Sequence, residues 1–454
     1  ADPLEPVMVE TGWPPYIFSW GTMLDDRGLD HPTQFPTHNG PPTISGYIAW
    51  YLYSGEERFR EAARVWADWM IEHGSTPEDS PLPYLPVSTY SYFGEAYTGE
   101  LLHVIEPDKA SLAGLAYLEL ADVTDEEKYR NAARRIAETV YPMQLEDGSF
   151  PFRLSLATGD VTSTFSCSQL WHVRFFERLG EVDDREEYRE AAQGALNWLL
   201  RGPVQTNEWL GFYGDMHEDT ISRSYDQWTA LEMAQWLIDH NKDDPSYVEA
   251  ARRILTYVDE KLTIHDGAHK GVPAVVEQTL FPVILPHHNM RLADTYARLA
   301  GATGDADARE TALRIANSMT HLVTADGKFR QGINSGIDDL VCLILEINLQ
   351  YLRVMVELPE TAPKGENHLL YHTGPIREIH YEPGRIELEA LEPGQSILVV
   401  AGPVRGVGAD GAALPAQGPP RSRLAVEPAG YHYEAETGRL FVLHPAGRIE
   451  IYLE

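Results

Sequence analysis

The chain has 454 residues, 43% of them hydrophobic, and a formal net charge of −33, which is enough apolar material for a large core and too much chain for one small domain. A charge of that sign and size argues against a nucleic-acid partner, because phosphate repulsion would dominate. No apolar run approaches the roughly 20 residues of a membrane-spanning helix, so no membrane partner is expected.

In chain order, residues 1–36 read as an extended segment. Its opening, "ADPLEP", reads as a processed or engineered terminus, so the compartment stays open, with a secreted or periplasmic place favoured over a cytoplasmic one. From residue 37 a repeat begins. "EERFREAARVWADWM" from Glu56, "DEEKYRNAARRIAETV" from Asp125, "DREEYREAAQGALNWL" from Asp184 and "DDPSYVEAARRILTYV" from Asp243 each place an aromatic residue three before a pair of alanines. The pairs start at Ala62, Ala132, Ala191 and Ala250, so the period is 70, 59 and 59 residues. A weaker fifth copy starts at Asp305. Such self-similarity marks a repeat architecture. Within each copy the apolar residues fall on one stripe, as on a surface helix.

Before each copy stands a helix pattern that is apolar over more of its circumference, such as "KASLAGLAYLELADV" and "YDQWTALEMAQWLIDH", and such helices are buried. The joints between the two kinds are short, which makes antiparallel hairpins. A sixth buried helix is expected over "GIDDLVCLILEINLQYLRVMVE", with no clear outer copy after it. The expected fold is therefore mainly α: an (α/α)6 toroid of helical hairpins over residues 37–362. The long connections Thr37–Thr43, Ser88–Asp108, Pro151–Phe165, Gly202–Ser222, His265–Pro286 and Lys328–Ser335 all precede inner helices, and so gather at one end, where function usually sits. Residues 363–454 switch to short period-two runs between glycines and prolines. They read as a small antiparallel β-domain, sandwich-like, with a structural cap on the toroid as its plainest role. The two cysteines, Cys167 and Cys342, lie in inner-helix patterns on opposite sides of the ring; each is expected to be a buried, inert thiol out of disulfide reach.

The rim carries the groups that do chemistry. Trp209 and Tyr213 are candidates to stack on sugar rings. Asp108 and Asp226 stand at starts of inner helices, where a carboxylate either caps the helix or serves as one of the two carboxyls that glycoside hydrolysis needs. An acidic chain that keeps arginines at one end suits a carboxylate-bearing sugar, because the guanidinium fork matches a uronate. Arg223, Arg330, His38 and His217 belong to that set. "PHHNMRLADTY" is the densest piece. Its His288 and Asn289, with Tyr225 and Arg223, also suit a lyase, which neutralises the uronate carboxylate and needs a base and an acid. "HHN" can also be read as a metal clip, but no carboxylate pattern accompanies it, so no metal and no cofactor are expected.

"DTISRSYDQWTALEMAQWL" resembles a stretch of the unsaturated glucuronyl hydrolases, glycoside hydrolase family 88, and their relatives in family 105. The resemblance in repeat and helix order spans about residues 37–357. It implies a six-hairpin toroid in which an Arg-Gly-Gln-x-Trp run opens an inner helix and binds an unsaturated uronyl sugar. Arg223, Gln227 and Trp228 are the counterparts, with two extra residues between Arg and Gln, and the acid of the second hairpin falls near Asp108. The family's third-hairpin Asp, its general acid/base, is matched by "TFSCSQLW", which offers Ser166, Cys167 and Ser168 but no acid. The C-terminal strands are similar instead to those of polysaccharide lyases that follow a toroid with a β-domain. The expectation is a glycosidase acting on an anionic oligo- or polysaccharide. A polysaccharide lyase using Tyr225, His288 and Arg223 is the alternative, and a non-catalytic glycan-binding toroid the third class. Oligomeric state is not legible.

Overall fold

The computed structural model describes residues 36–90, 102–212, 223–265, 271–322, 329–330, 341–342, 346–418 and 428–454. Twelve helices form among them. They are α1 (Pro36–Ser54), α2 (Glu57–Glu72), α3 (Pro107–Thr124), α4 (Glu127–Val140), α5 (Gln169–Val182), α6 (Glu186–Arg201), the single turn α7 (Pro203–Thr206), α8 (Trp228–Asp239), α9 (Ser246–Leu262), α10 (Pro286–Thr303), α11 (Ala306–Thr320) and α12 (Glu346–Glu357).

The paired alanines explain the hairpins. Ala63, Ala133, Ala191 and Ala251 are buried on the sides of α2, α4, α6 and α9 that pack on α1, α3, α5 and α8. A small side chain there lets two helices approach closely, and the charged face stays in water. Glycine serves the same end within the inner layer: a Cβ on Gly114 of α3 would lie 2.3 Å from the Phe175 ring of α5. The inner helices α1, α3, α5, α8, α10 and α12 each pack on the next, and α12 packs back on α1, so the six close a ring. Five outer helices flank it among the described residues. The ring is buried nearly all round, as on α3, where Pro107 to Val123 contributes 14 buried residues.

Two boundaries differ from expectation. Thr37–Thr43, expected as a connection, belongs to α1, with Pro41 and Pro42 inside its second turn, where neither has an N–H to give to the helix. The sixth inner helix begins at Glu346, and Cys342 lies instead on a two-residue strand, Val341–Cys342, paired with Phe329–Arg330. β-branched and apolar runs such as "LVCLIL" suit either state, and periodicity alone does not separate them.

At the end where inner helices begin, β1 (Ser88–Tyr90), β2 (Leu102–Ile105), β3 (Arg153–Ser155) and β4 (Val161–Ser163) form one antiparallel sheet from two long connections. At the opposite end, strands from His368 onward form two antiparallel sheets of five and four strands, their inward residues (Ile386, Leu388, Ile451, Leu398, Val442) sharing one core with the helices. This domain feeds donors to the last carbonyls of inner helices, groups left over when a helix ends. Tyr381 Oη donates to Leu52 O at 2.7 Å, His368 Nδ1 to Tyr53 O at 3.0 Å, and Arg439 Nη1 to Val356 O at 2.7 Å.

Candidate functional site

The starts of α3, α5, α8 and α10 bring a polar cluster together inside the ring. Strand β2 delivers Glu106, Asp108 and Lys109 to the head of α3, and β3 delivers Arg153 beside them. All four are buried. Arg153 Nε lies 2.9 Å from Glu106 Oε1. Lys109 Nζ lies 3.1 Å from Asp108 Oδ2 and 2.8 Å from the carbonyl of Phe212, and sits over the rings of Phe152 and Phe212 at 5.0 Å each. Asp108 also accepts a bond from Ser168 Oγ. Burial pushes its carboxyl up; Lys109 opposes this, and Glu106 adds to it.

One turn deeper, His172 of α5 stacks on Phe150 at 4.2 Å and meets Ser111 Oγ at 2.8 Å. Burial, helped by Lys109, lowers its pKa to about 3, so the ring is neutral. Its Nε2 has no partner among the described residues.

The middle of the cluster is built on Glu232 of α8. Its carboxylate accepts the indole N–H of Trp171 at 2.9 Å and of Trp228 at 3.3 Å, and lies 3.8 Å from both Arg174 Nη1 and Arg291 Nη2. Burial raises this carboxyl's pKa, but Arg174, Arg291 and Arg353 outweigh it, so the net shift is downward and the group is a carboxylate. The Arg291 guanidinium stacks on Trp228 at 3.8 Å. Phe212 closes an aromatic trio, 5.4 Å from both Trp171 and Trp228.

His287 and His288 open α10 with ring centroids 4.1 Å apart, at 5.8 Å and 5.3 Å from Trp228 respectively. The Gln227 side-chain amide bonds to His288 Nδ1. With the amide donating, the imidazole proton rests on Nε2.

The cluster thus unites Asp108, Gln227, Trp228 and His288 from the sequence-based set. Packing places four other candidates outside this cluster. Asp226 does not face Asp108 across the axis. Its carboxylate accepts from Thr229 N at 2.9 Å and from Cys167 Sγ at 3.3 Å, while Asp108 meets the adjacent Ser168; the two acids therefore flank the head of α5. Burial raises Asp226 to about 6. Trp209 is fully buried, offers no face to a sugar, and holds Asp226 N through its carbonyl at 3.1 Å. Asn289 is also buried, its amide spent on Val275 N, Val275 O and Leu285 O at 2.9, 3.0 and 2.8 Å. Tyr225 faces the outer layer: its ring lies 6.1 Å from Tyr257 of α9 and 5.9 Å from Lys261 Nζ.

Arg223 is exposed on a turn five residues before α8 rather than at the helix start. Tyr213 and His217 lie outside the described residues. For His38 on α1 and Arg330 on its short strand, the backbone is described and the side chain is not. Cys167 is a free, buried thiol just ahead of α5. Sequence reasoning missed Lys109, Trp171, Glu232 and Arg291 as a unit. The signal was there: a Glu one helical turn after Trp228, inside a helix apolar nearly all round, is a buried charge that needs partners.

No family model matches the chain, and no curated protein matches it in sequence. Solved structures do match in fold. A cellobiose 2-epimerase from Spirochaeta thermophila aligns with TM-score 0.53 and 8% identity over 71% of this chain and 86% of that one. A D-mannose isomerase aligns with TM-score 0.52 and 12% identity over 75% and 93%. An unsaturated glucuronyl hydrolase specific for heparin aligns with TM-score 0.48 and 11% identity over 75% and 90%. At these identities the likeness is one of fold alone, carried by the epimerase and the isomerase.

Proposed function

We propose that the ring is an (α/α)6 toroid whose loop end holds the active site of a glycan-processing enzyme. Its reaction is of epimerase or isomerase type, a proton transfer at a sugar carbon, and its saccharide bears a carboxylate. His288 is one of the groups that carry the proton. The observation behind this reading is the fixed His288, its Nδ1 engaged by Gln227, among Trp228, His287 and Arg291. A histidine held in one tautomer beside an aromatic platform suits acid–base work near neutral pH. Two-carboxyl hydrolysis has less support, because Asp226 is closed into the wall and Asp108 is tied to Lys109 and Ser168. The lyase loses its Tyr225 to the outer layer. Arg223 at the rim supplies the carboxylate clamp.

Turnover of a panel of uronides and neutral sugars in deuterated water tests this. Deuterium should enter one sugar C–H position with no gain or loss of the ultraviolet absorbance of an unsaturated uronate. His288→Gln should abolish the exchange with little change in melting temperature. Loss of unsaturated-uronate absorbance without exchange into a saturated sugar would refute the reading and return the site to hydrolysis. One observation favours that second reading: burial keeps the Asp108 carboxyl above its usual range, as a proton donor requires.

A further inference from the structure

At the far end of the ring, where the inner helices finish against the β-domain, lies a cavity of about 400 Å³. That is within the range of small-molecule sites. Its walls come from both domains. Ile48, Leu52, Leu115, Leu118 and Leu352 are supplied by the helices and Leu369 by the first strand of the β-domain. Glu119, Asp122, Glu181, Glu392 and Arg178 also border it, and the sixth inner helix projects Arg353 into it.

Arg353 is half-buried and makes neither a hydrogen bond nor an ion pair among the described residues. The carboxylates near it are committed elsewhere. Asp122 and Glu392 are held by Arg178 at 3.1 and 2.9 Å. Glu232 contacts Arg174, Arg291 and two indoles, and meets Arg353 only at longer range. Glu119 accepts the Ser45 hydroxyl at 2.5 Å, and burial raises its pKa, which favours the neutral acid. The Arg353 guanidinium acts at longer range on Glu232 and Glu119 but hydrogen-bonds to neither, so its planar fork, which matches a carboxylate, stays open toward the cavity.

We propose that this cavity is a second ligand site, distinct from the loop end, which takes a small monocarboxylate with a compact apolar body, its carboxylate on Arg353. The site is independent of the reaction at the loop end.

Titration calorimetry with benzoate, the neutral isostere benzamide and inorganic phosphate tests it. Benzoate should bind saturably, and benzamide and phosphate on the order of tenfold more weakly. Arg353→Gln should weaken benzoate by a similar factor, with little change in thermal unfolding in the absence of ligand, since the side chain makes no hydrogen bond or close ion pair among the described residues and acts on Glu232 and Glu119 only at longer range. Ala49→Phe, which fills the void from α1, should abolish binding and covers the case in which the Arg353 variant fails to fold. His288→Gln should bind benzoate as the parent does. Absence of saturable binding, equal binding of benzamide or phosphate, or indifference to both cavity variants would overturn the proposal. Loss in His288→Gln but not in Arg353→Gln would place the carboxylate at the loop end instead.

Discussion

Replacing Glu232 by Gln keeps the shape of the side chain and removes one charge. The carboxylate now accepts from both Trp171 and Trp228 and lies 3.8 Å from two guanidiniums. A glutamine has one acceptor oxygen, so one indole N–H loses its partner inside the ring, which costs about 1–3 kcal/mol. The guanidiniums also lose their anion. Breaking a buried pair costs about 3–5 kcal/mol, but at 3.8 Å these contacts are long, and Arg174 keeps 34% of its side chain accessible. The lower end of that range, about 3 kcal/mol, applies, and with the orphaned indole the total is about 4–6 kcal/mol. Urea unfolding followed by indole fluorescence, with near-ultraviolet circular dichroism of the folded state, reads both consequences: a lower midpoint and loosened Trp171 and Trp228. A Trp171→Phe background should recover part of the loss, because the orphaned donor is gone. If Glu232→Gln unfolds at the parent's midpoint, the carboxylate is not the keystone of the cluster, and the arginines are neutralised by something else.

Asp226 carries a pKa of about 6 in the fold against 3.8 ordinarily. A folded pKa above the unfolded one means that stability is lost as pH rises from about 4 through 6, a difference near 3 kcal/mol for two units. Asp226→Asn should therefore raise the melting temperature at pH 8 and have no effect below about pH 4. Comparing variant with parent at each pH cancels His172, whose lowered pKa acts in the opposite sense as pH falls below 6.5. Arg223→Ala, at an exposed position, should lower uronide turnover by about ten- to a hundredfold and spare neutral sugars and melting temperature; equal loss on both sugar classes would contradict a carboxylate clamp. Tyr225→Phe should leave turnover unchanged, and a large fall would restore Tyr225 to the chemistry.

Local pattern alone sufficed for the hairpins. Paired alanines after an aromatic residue occur at one turn of a helix, and that short-range regularity announced α2, α4, α6 and α9, with α11 as a weaker copy that lacks both marks. The switch at residue 363 from helical to alternating periodicity likewise announced strands. The start of α12 was not legible, because an apolar run without punctuation suits strand and helix alike. At the site, residue type and rim position picked out Asp108, Gln227, Trp228 and His288, which the ring does gather. They equally picked out Trp209, Asn289, Asp226 and Tyr225, which packing assigns to the wall or the outer layer. Sequence spacing tells which helix a residue belongs to. Which way its side chain turns depends on neighbours about 60 positions away, such as the Cys167–Asp226 and Trp171–Glu232 contacts. Only the closed ring brings those neighbours within reach, and only there does a buried carboxylate or an arginine find, or fail to find, its partner.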